Sequence, residues 1–364
     1  MTEHVHISIE NQIGCITLDR PKALNSLSLQ MIRALTDALL VWRDNADISA
    51  VLMRSSSEKA FCAGGDIRFF YDVGTATPRE GSALLEDFFT EEYALNHLIH
   101  HYPKPYIALM DGVVMGGGMG IAQAGPDARV RIVTDRTKMA MPEVNIGLFP
   151  DVGGGYFLSH CPGQIGTYLG VTGEIITAAD ALYAGLADFF VPSAQLPLLI
   201  ERLHTGPAHD VRTTVQQFAA DFNISTAPEA SMLATNRAAI ERHFASDTIA
   251  AITASLAQDD TPFAQKILAV MQKRSPLMMC VTLEQIRRSA ALNSVADCLR
   301  MERTMVRHCF EHGEVIEGVR ALVVDKDNAP QWNPATLAEV TPDMIVGFFR
   351  PAWPLHAHPL KDLK

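Results

Sequence analysis

The sequence lacks several features that would place it in one of the large classes of proteins. Lys and Arg number 30 against 41 Asp and Glu, a formal net charge of −11, so the basic excess typical of nucleic-acid surfaces is missing. The six cysteines are scattered and form no CxxC pair, which favours free buried thiols in a reducing compartment. No apolar run approaches the ~20 residues that a membrane helix needs. We therefore expect no nucleic-acid partner and no membrane association.

The beginning of the sequence also lacks the pattern of a targeting segment. Residues 1–6 contain no basic stretch followed by an apolar one, and they run directly into a strand pattern. The segment is rich in neither Arg nor Ser, whereas transit peptides are rich in both. We therefore expect a cytoplasmic location.

Several familiar catalytic and metal-binding motifs are missing as well. No HExxH or similar spacing joins histidines into a metal site, and no GxSxG elbow indicates a serine hydrolase. The glycine run at 116–118 has neither the spacing of a dinucleotide fingerprint nor the Gly-Lys-Ser/Thr of a P-loop. We expect no metal and no redox cofactor.

The patterns that are present indicate an α/β fold. Val5–Glu10 and residues 13–19 have the composition of strands, and Ser28 is suited to cap a helix with a regular apolar stripe. Strand and helix patterns then alternate to about residue 191, and helical patterns dominate from residue 196 onward. The length of 364 residues is that of about two domains. We therefore expect an α/β core over residues 1–200 and a mainly helical region over residues 201–364.

Two glycine-containing turns each stand between a predicted strand and a predicted helix. One places Gly64 and Gly65 before Asp66, which could cap the following helix, and the other is the run at 116–118. N–H groups at the start of a helix are free donors at the positive end of its dipole, so such turns can hold an oxyanion. The alternatives are a plain strand-to-helix connection and glycines that serve packing. Two donors from two separate loops would together form an oxyanion hole.

Two carboxylates, Glu143 and Asp151, lie eight residues apart in an apolar segment. Pro and Gly residues between them favour a loop that folds back, so both side chains could reach one cavity. A carboxyl group among Met, Ile, Leu and Phe loses hydration, which raises its pKa and suits it to acid–base chemistry near neutral pH. The alternative is that each carboxylate caps a helix or pairs with an Arg.

Four segments together resemble the crotonase (enoyl-CoA hydratase/isomerase) superfamily in their order and spacing. They are 19–27 (DRPKALNSL), 61–67 (FCAGGDI), 111–118 (DGVVMGGG) and 141–155 (MPEVNIGLFPDVGGG). The resemblance implies a spiral of ββα units with a helical C-terminal part and an acyl-CoA substrate. It also implies an oxyanion hole made by the backbone N–H groups of Gly65 and Gly117.

Further segments are similar to the 3-hydroxyisobutyryl-CoA hydrolases within that superfamily. They are residues 91–93, 146–158 and 317–327. Hydratases of the superfamily carry a Glu two residues after the glycine triplet, where this chain has Gly120, whereas the other family Glu is present as Glu143. The resemblance therefore implies hydrolysis of a short branched acyl-CoA thioester, as in valine catabolism.

The resemblance also implies roles for individual residues. Glu143 would activate water or attack the thioester carbonyl itself, and Asp151 would position the water or bind the hydroxyl group of the substrate. Glu92 matches a substrate-contacting Glu of the hydrolase group, and Asp66 and the two oxyanion glycines would also line the substrate site. CoA is part of the substrate and no other cofactor is implied.

Two other interpretations and the oligomeric state stay open. The chain could be an enoyl-CoA hydratase or isomerase, or a member of the fold that binds acyl-CoA or RNA without catalysis. The net charge of −11 disfavours RNA. A homo-oligomer is compatible with the sequence.

Overall fold

The chain forms two compact units, each built from three separate stretches of the sequence. A computed structural model describes residues 2–77, 81–206, 210–222, 230–292 and 294–364. The first unit comprises Met1–Gly65, Ala94–Ala140 and Ile175–Thr235, and the second comprises Asp66–Tyr93, Met141–Glu174 and Asn236–Lys364. The expected division of the sequence near residue 200 stays a prediction.

All strands of the described residues belong to the first unit. The strands are β1 (Val5–Glu10), β2 (Ile13–Leu18), β3 (Ala50–Ser55), β4 (Ala60–Cys62), β5 (Tyr106–Met110), β6 (Val113–Met115), β7 (Arg129–Val133), β8 (Lys138–Ala140) and β9 (Phe189–Phe190). Six of them form a sheet in the order β1-β2-β3-β5-β7-β9, and β4-β6-β8 form a second sheet. Among the strand pairs of the described residues, only β1–β2 is antiparallel.

The helices of the described residues account for most of the remaining structure. They are α1 (Leu29–Arg43), α2 (Ile67–Ala76), α3 (Ala83–His100), α4 (Gly117–Gly120), α5 (Gly154–Ser159), α6 (Ile165–Thr172), α7 (Ala178–Tyr183), α8 (Leu196–Thr205), α9 (Val211–Ala219), α10 (Met232–Thr235), α11 (Arg237–Phe244), α12 (Ile249–Ala257), α13 (Pro262–Met271), α14 (Pro276–Ala291), α15 (Val295–His312), α16 (Glu314–Val319) and α17 (Pro342–Gly347). No described strand follows β9, so the predicted helical C-terminal region and the α/β class are confirmed.

The core of the first unit lies between the larger sheet and the helices α8 and α9. The central strands are buried along most of their length, as parallel strands covered on both faces are. Helix α1 begins at the predicted cap, where the Ser28 side chain accepts a hydrogen bond from the Met31 N–H. The indole ring of Trp42, on the same helix, packs on Gly14. A Cβ atom at position 14 would come within 2.4 Å of the ring, so only glycine allows this approach.

The second unit is helical, and its centre is helix α14. This helix packs against α5 and α6, and Gly170 of α6 faces Ile286 of α14. Ten residues of α14 are buried, far more than one narrow stripe of a surface helix. The loop before α5 is therefore held in a fully packed environment.

Candidate active site

In the first unit, the two predicted glycine turns lie side by side. Gly64 has a φ of +104°, and a Cβ atom there would lie 3.5 Å from the Gly117 nitrogen. A Cβ atom on Gly118 would come within 2.2 Å of the Cys62 carbonyl oxygen. Glycine is therefore required at these positions because the two stretches of backbone approach too closely for a side chain.

The N–H groups of Gly65 and Gly117 remain available in this arrangement. The bridge between Leu27 and Gly65 uses the Leu27 N–H, which donates to the Gly64 carbonyl oxygen at 2.7 Å. Gly117 is the first residue of α4, and N–H groups at a helix start have no partner within the helix. Across the described ranges, no backbone acceptor is found for either N–H.

Asp66 caps the helix that follows the first turn. Its side chain accepts a hydrogen bond of 3.2 Å from the Phe69 N–H at the start of α2. The predicted capping role is confirmed, and a contact of Asp66 with substrate stays a prediction.

In the second unit, the three predicted carboxylates are buried together. Glu92 on α3, Glu143 at the start of a 3₁₀ turn and Asp151 in the loop before α5 are only 2%, 5% and 5% exposed. Tyr93 donates a hydrogen bond of 2.7 Å from its hydroxyl to Asp151 Oδ2. The chain thus gathers carboxylates from two distant stretches into one apolar environment.

Burial raises the pKa values of all three carboxyl groups, and repulsion from neighbouring carboxylates adds to the shifts of Glu92 and Glu143. Desolvation raises the pKa of Glu143 well above its ordinary range, and the charge of Asp151 adds to the effect. The same two causes raise the pKa of Glu92. Burial raises the pKa of Asp151 to about 6, against the lowering effect of the Tyr93 hydroxyl. The Asp151 carboxyl group therefore exchanges its proton near neutral pH, as acid–base catalysis at that pH requires.

Two oxygen atoms of the cluster have no hydrogen-bond partner among the residues that the structure describes. They are Glu92 Oε1 and Glu143 Oε2, and both are buried. An unpartnered buried carboxylate oxygen is costly and is rare outside functional sites. We therefore expect a substrate or a proton to bind at these two oxygen atoms.

Residues that the sequence interpretation did not select complete the surroundings of Asp151. Tyr93 stands within a quoted segment, but only Glu92 of that segment was assigned a role. Glu302 on α15 accepts hydrogen bonds from the N–H groups of Gly153 and Gly155 at 2.7 and 2.9 Å. No motif or spacing signals Glu302, because it lies 149 residues from the loop that it contacts.

One group of side chains in the first unit has the types of atoms that bind metals. His204 Nδ1 lies 2.9 Å from Glu10 Oε2, and its Nε2 lies 3.5 Å from Cys15 Sγ. Burial raises the pKa of the Cys15 thiol to about 11, so the thiolate that a metal needs is disfavoured. The predicted absence of a metal cofactor stays a prediction. No helix of the described ranges is long and apolar enough to span a membrane.

Comparisons with known proteins agree with the predicted family. The family model described as Enoyl-CoA hydratase/isomerase matches residues 13–349. The chain is 38% identical over 341 residues to "3-hydroxyisobutyryl-CoA hydrolase, mitochondrial" of Gallus gallus, covering 93% of this chain and 86% of that protein. The protein of the same name from Homo sapiens is 35% identical over 351 residues, covering 96% and 89% of the two chains.

Two solved structures share both the fold and a substantial part of the sequence. A carnitinyl-CoA dehydratase from Mycobacterium thermoresistibile superposes with a TM-score of 0.89 at 39% identity, covering 97% of this chain and 98% of its own. An enoyl-CoA hydratase from Rhodobacter sphaeroides gives a TM-score of 0.84 at 36% identity, with coverages of 96% and 98%. The chain therefore belongs to the enoyl-CoA hydratase/isomerase family.

Proposed function

We propose that this chain hydrolyses 3-hydroxyisobutyryl-CoA to 3-hydroxyisobutyrate and CoA. The observation that carries the proposal is the buried Glu143 with one unpartnered oxygen and a raised pKa, in a chain that has Gly120 where hydratases carry a second catalytic Glu. Relatives that align over nearly the whole chain bear the name of this hydrolase.

The proposed reaction begins with polarisation of the thioester carbonyl by backbone donors. The carbonyl oxygen accepts hydrogen bonds from the Gly65 and Gly117 N–H groups, as the family resemblance implies. Negative charge grows on that oxygen in the tetrahedral intermediate, so fixed donors stabilise the intermediate more than the substrate. The backbone at Gly117 is already helical, and its N–H has no competing acceptor among the described residues.

Two routes from there start from the ionised form of Glu143, which its raised pKa makes a stronger base. In the first, Glu143 takes a proton from water, the resulting hydroxide forms the new C–O bond, and the C–S bond breaks to release CoA, which takes the proton from Glu143. In the second, a Glu143 oxygen attacks the carbonyl, CoA leaves, and water hydrolyses the mixed anhydride. Asp151 positions the water or binds the substrate hydroxyl, and Glu92 contacts the substrate.

The rival function is hydration of an enoyl-CoA, the activity for which the Rhodobacter sphaeroides relative is named, whereas the Mycobacterium thermoresistibile relative is named a carnitinyl-CoA dehydratase. Hydration needs an acid and a base on either side of the double bond, and Gly120 has no side chain to supply the second group. A binding protein without catalysis is disfavoured because the two carboxylates with proposed catalytic roles, Glu143 and Asp151, are present.

Free-thiol release from 3-hydroxyisobutyryl-CoA, measured beside hydration of crotonyl-CoA, decides between these functions. Thiol release with negligible hydration supports the hydrolase. Hydration at a comparable rate supports the rival, and neither reaction at saturating substrate supports the binding protein.

The proposal also covers the metabolic pathway, the cofactor requirement, the location and the oligomeric state of the enzyme. With this substrate the enzyme would act in valine catabolism. Both routes use only protein groups and water, without a cofactor other than the CoA of the substrate. The named relatives are mitochondrial proteins, whereas the sequence of this chain predicts a cytoplasmic location. A homo-oligomer stays a prediction.

A further inference from the structure

The loop that carries Asp151 has backbone dihedral angles that are unfavourable unless other parts of the structure support them. Val152 has a φ of +54°, although β-branched residues rarely adopt the left-handed region, and Gly153 follows with a φ of +85°. Such a conformation persists only when the surrounding structure over-determines it. Contacts from elsewhere in the second unit must therefore fix the loop.

Glu302 supplies the strongest of these contacts. Its Oε2 accepts the Gly153 N–H at 2.7 Å and its Oε1 accepts the Gly155 N–H at 2.9 Å. The Gln285 side chain donates from Nε2 to the Pro150 carbonyl at 2.6 Å and to Glu302 Oε1 at 3.2 Å. The two residues thus hold the loop on both sides of Asp151.

Side chains of α14 and α15 pack closely around Gly155, in the first turn of α5 directly after the loop. A Cβ atom on Gly155 would lie 2.4 Å from Ser289 Oγ, 3.1 Å from Gln285 Nε2 and 3.1 Å from Glu302 Oε1. Helices α14 and α15 therefore enclose the loop so tightly that only glycine is accommodated. The position of Asp151 is consequently coupled to the two side chains that bind the loop.

Burying the Glu302 carboxyl group costs desolvation free energy, so stability alone does not explain why a glutamate stands at this position. It is fully buried, and no ion pair is found for it within the described ranges. The adjacent Arg303 points elsewhere, to Glu86 and Thr90. Burial raises the pKa of Glu302 to about 8, while its N–H donors lower it. Buried carboxylates without a cation are often less favourable than packed apolar side chains, so a functional reason for Glu302 is expected.

We propose that Glu302 is a positioning residue that fixes the loop over residues 150–155 and thereby holds Asp151 in its working orientation. The inference rests on the proposed function, because it assigns Asp151 a part in thioester hydrolysis. Both carboxyl oxygens of Glu302 accept a backbone N–H group, whereas the amide of Gln has only one acceptor oxygen, so Glu binds the loop at two points where Gln can bind it at one.

The test compares Glu302→Gln with a matched control, Glu314→Gln. Glu314 is also a buried glutamate of the second unit, and it accepts bonds from Ser275 and Asn333 rather than from the loop. In Glu302→Gln the new amide group faces an N–H donor, so the loop loses one acceptor. We expect kcat to fall about 10²-fold, because misplacement by about 1 Å has that effect. KM should change little, and Glu314→Gln should keep kcat.

A double substitution separates positioning from general loss of stability. If Glu302 acts through Asp151, Asp151→Asn combined with Glu302→Gln should be within about 2-fold of Asp151→Asn alone, whereas independent effects multiply. Multiplied losses, or wild-type kcat in Glu302→Gln, would overturn the proposal. If Glu302→Gln does not fold, Gln285→Met takes its place, since it removes the donor to Pro150, and full kcat in that variant overturns the proposal.

Amide hydrogen exchange of the peptide over residues 148–158 tests the contact without any substrate. Exchange should be slow in the wild type and in Glu314→Gln and markedly faster in Glu302→Gln. Equal exchange in all three proteins would refute the role of Glu302. If exchange differs as expected but the wild type releases no thiol from 3-hydroxyisobutyryl-CoA, the proposed function fails while the positioning of the loop stands.

Discussion

Replacing Asp151 by Asn should make the protein more stable while it damages the proposed reaction. The carboxyl group is 5% exposed, and burial raises its pKa from 3.8 to about 6. A difference of about two pKa units corresponds to roughly 3 kcal/mol of unfolding free energy. Asn has nearly the same shape and can still accept the Tyr93 hydrogen bond, but it carries no charge into the apolar site.

The gain in stability should depend on pH in a direction that follows from the raised pKa. Below pH 3.8 the carboxyl group is protonated in both the folded and the unfolded chain, so ionisation has no effect. As pH rises toward 6, the unfolded chain ionises first and the wild type loses stability, and the loss is complete above the folded-state pKa of about 6. The advantage of Asp151→Asn should therefore be about half its full size at pH 5 and full at pH 8.

Thermal unfolding at the two pH values measures the effect. At an unfolding entropy of about 2.1 cal/mol/K per residue, ~3 kcal/mol in a chain of 364 residues corresponds to about 4 °C at pH 8, and half of it to about 2 °C at pH 5. A melting temperature of Asp151→Asn that lies below the wild type by the same amount at both pH values would refute the reasoning.

Asp180→Asn is a matched control for this experiment. Asp180 is also buried, but its carboxylate accepts hydrogen bonds from Thr177, Ser231 and the Leu233 N–H. Loss of that charged acceptor should destabilise the protein by about 1–3 kcal/mol. A gain in stability in both variants would mean that removing any buried carboxylate has the same effect, and the special environment of Asp151 would not be the cause.

Three further predictions concern the proposed reaction. Glu143→Gln should fold and bind CoA yet lose at least ~10² in turnover, because Gln can neither take a proton nor attack the carbonyl; near wild-type thiol release in the purified variant would contradict this role. Because Gly120 supplies no second acid or base, crotonyl-CoA hydration should be negligible beside thioester cleavage, and comparable rates would favour the hydratase. Gly117→Ala should lose about 10²–10³ in turnover, because its side chain would stand where the thioester oxygen is proposed to bind. Its melting temperature should stay near wild type, because alanine also adopts the helical backbone conformation of Gly117. Gly65→Pro removes the other proposed donor. Full turnover in Gly117→Ala, or a loss only in proportion to unfolding, would exclude an oxyanion donor at that position.

Features that depend on neighbours in the chain could be predicted from the sequence alone. Strand β1 has the predicted bounds Val5–Glu10, and Ser28 and Asp66 cap the helices that follow them. Each cap bonds an N–H three residues further along, so the pattern contains all that is needed. The burial of Glu143 and Asp151 was also predictable, because the apolar residues around them lie in the same segment.

Contacts between distant parts of the chain were decided by the tertiary structure. The Tyr93 hydroxyl reaches Asp151 across 58 residues, and Glu302 reaches Gly153 across 149. Helical periodicity indicates which face of α15 is buried, but it does not specify which loop that face meets. The sequence by itself therefore determined the local elements, the glycine turns and the buried carboxylate pair. Only the packing of distant segments decided which side chains hold that pair in place, because a hydrogen bond between them exists only once the chain has folded.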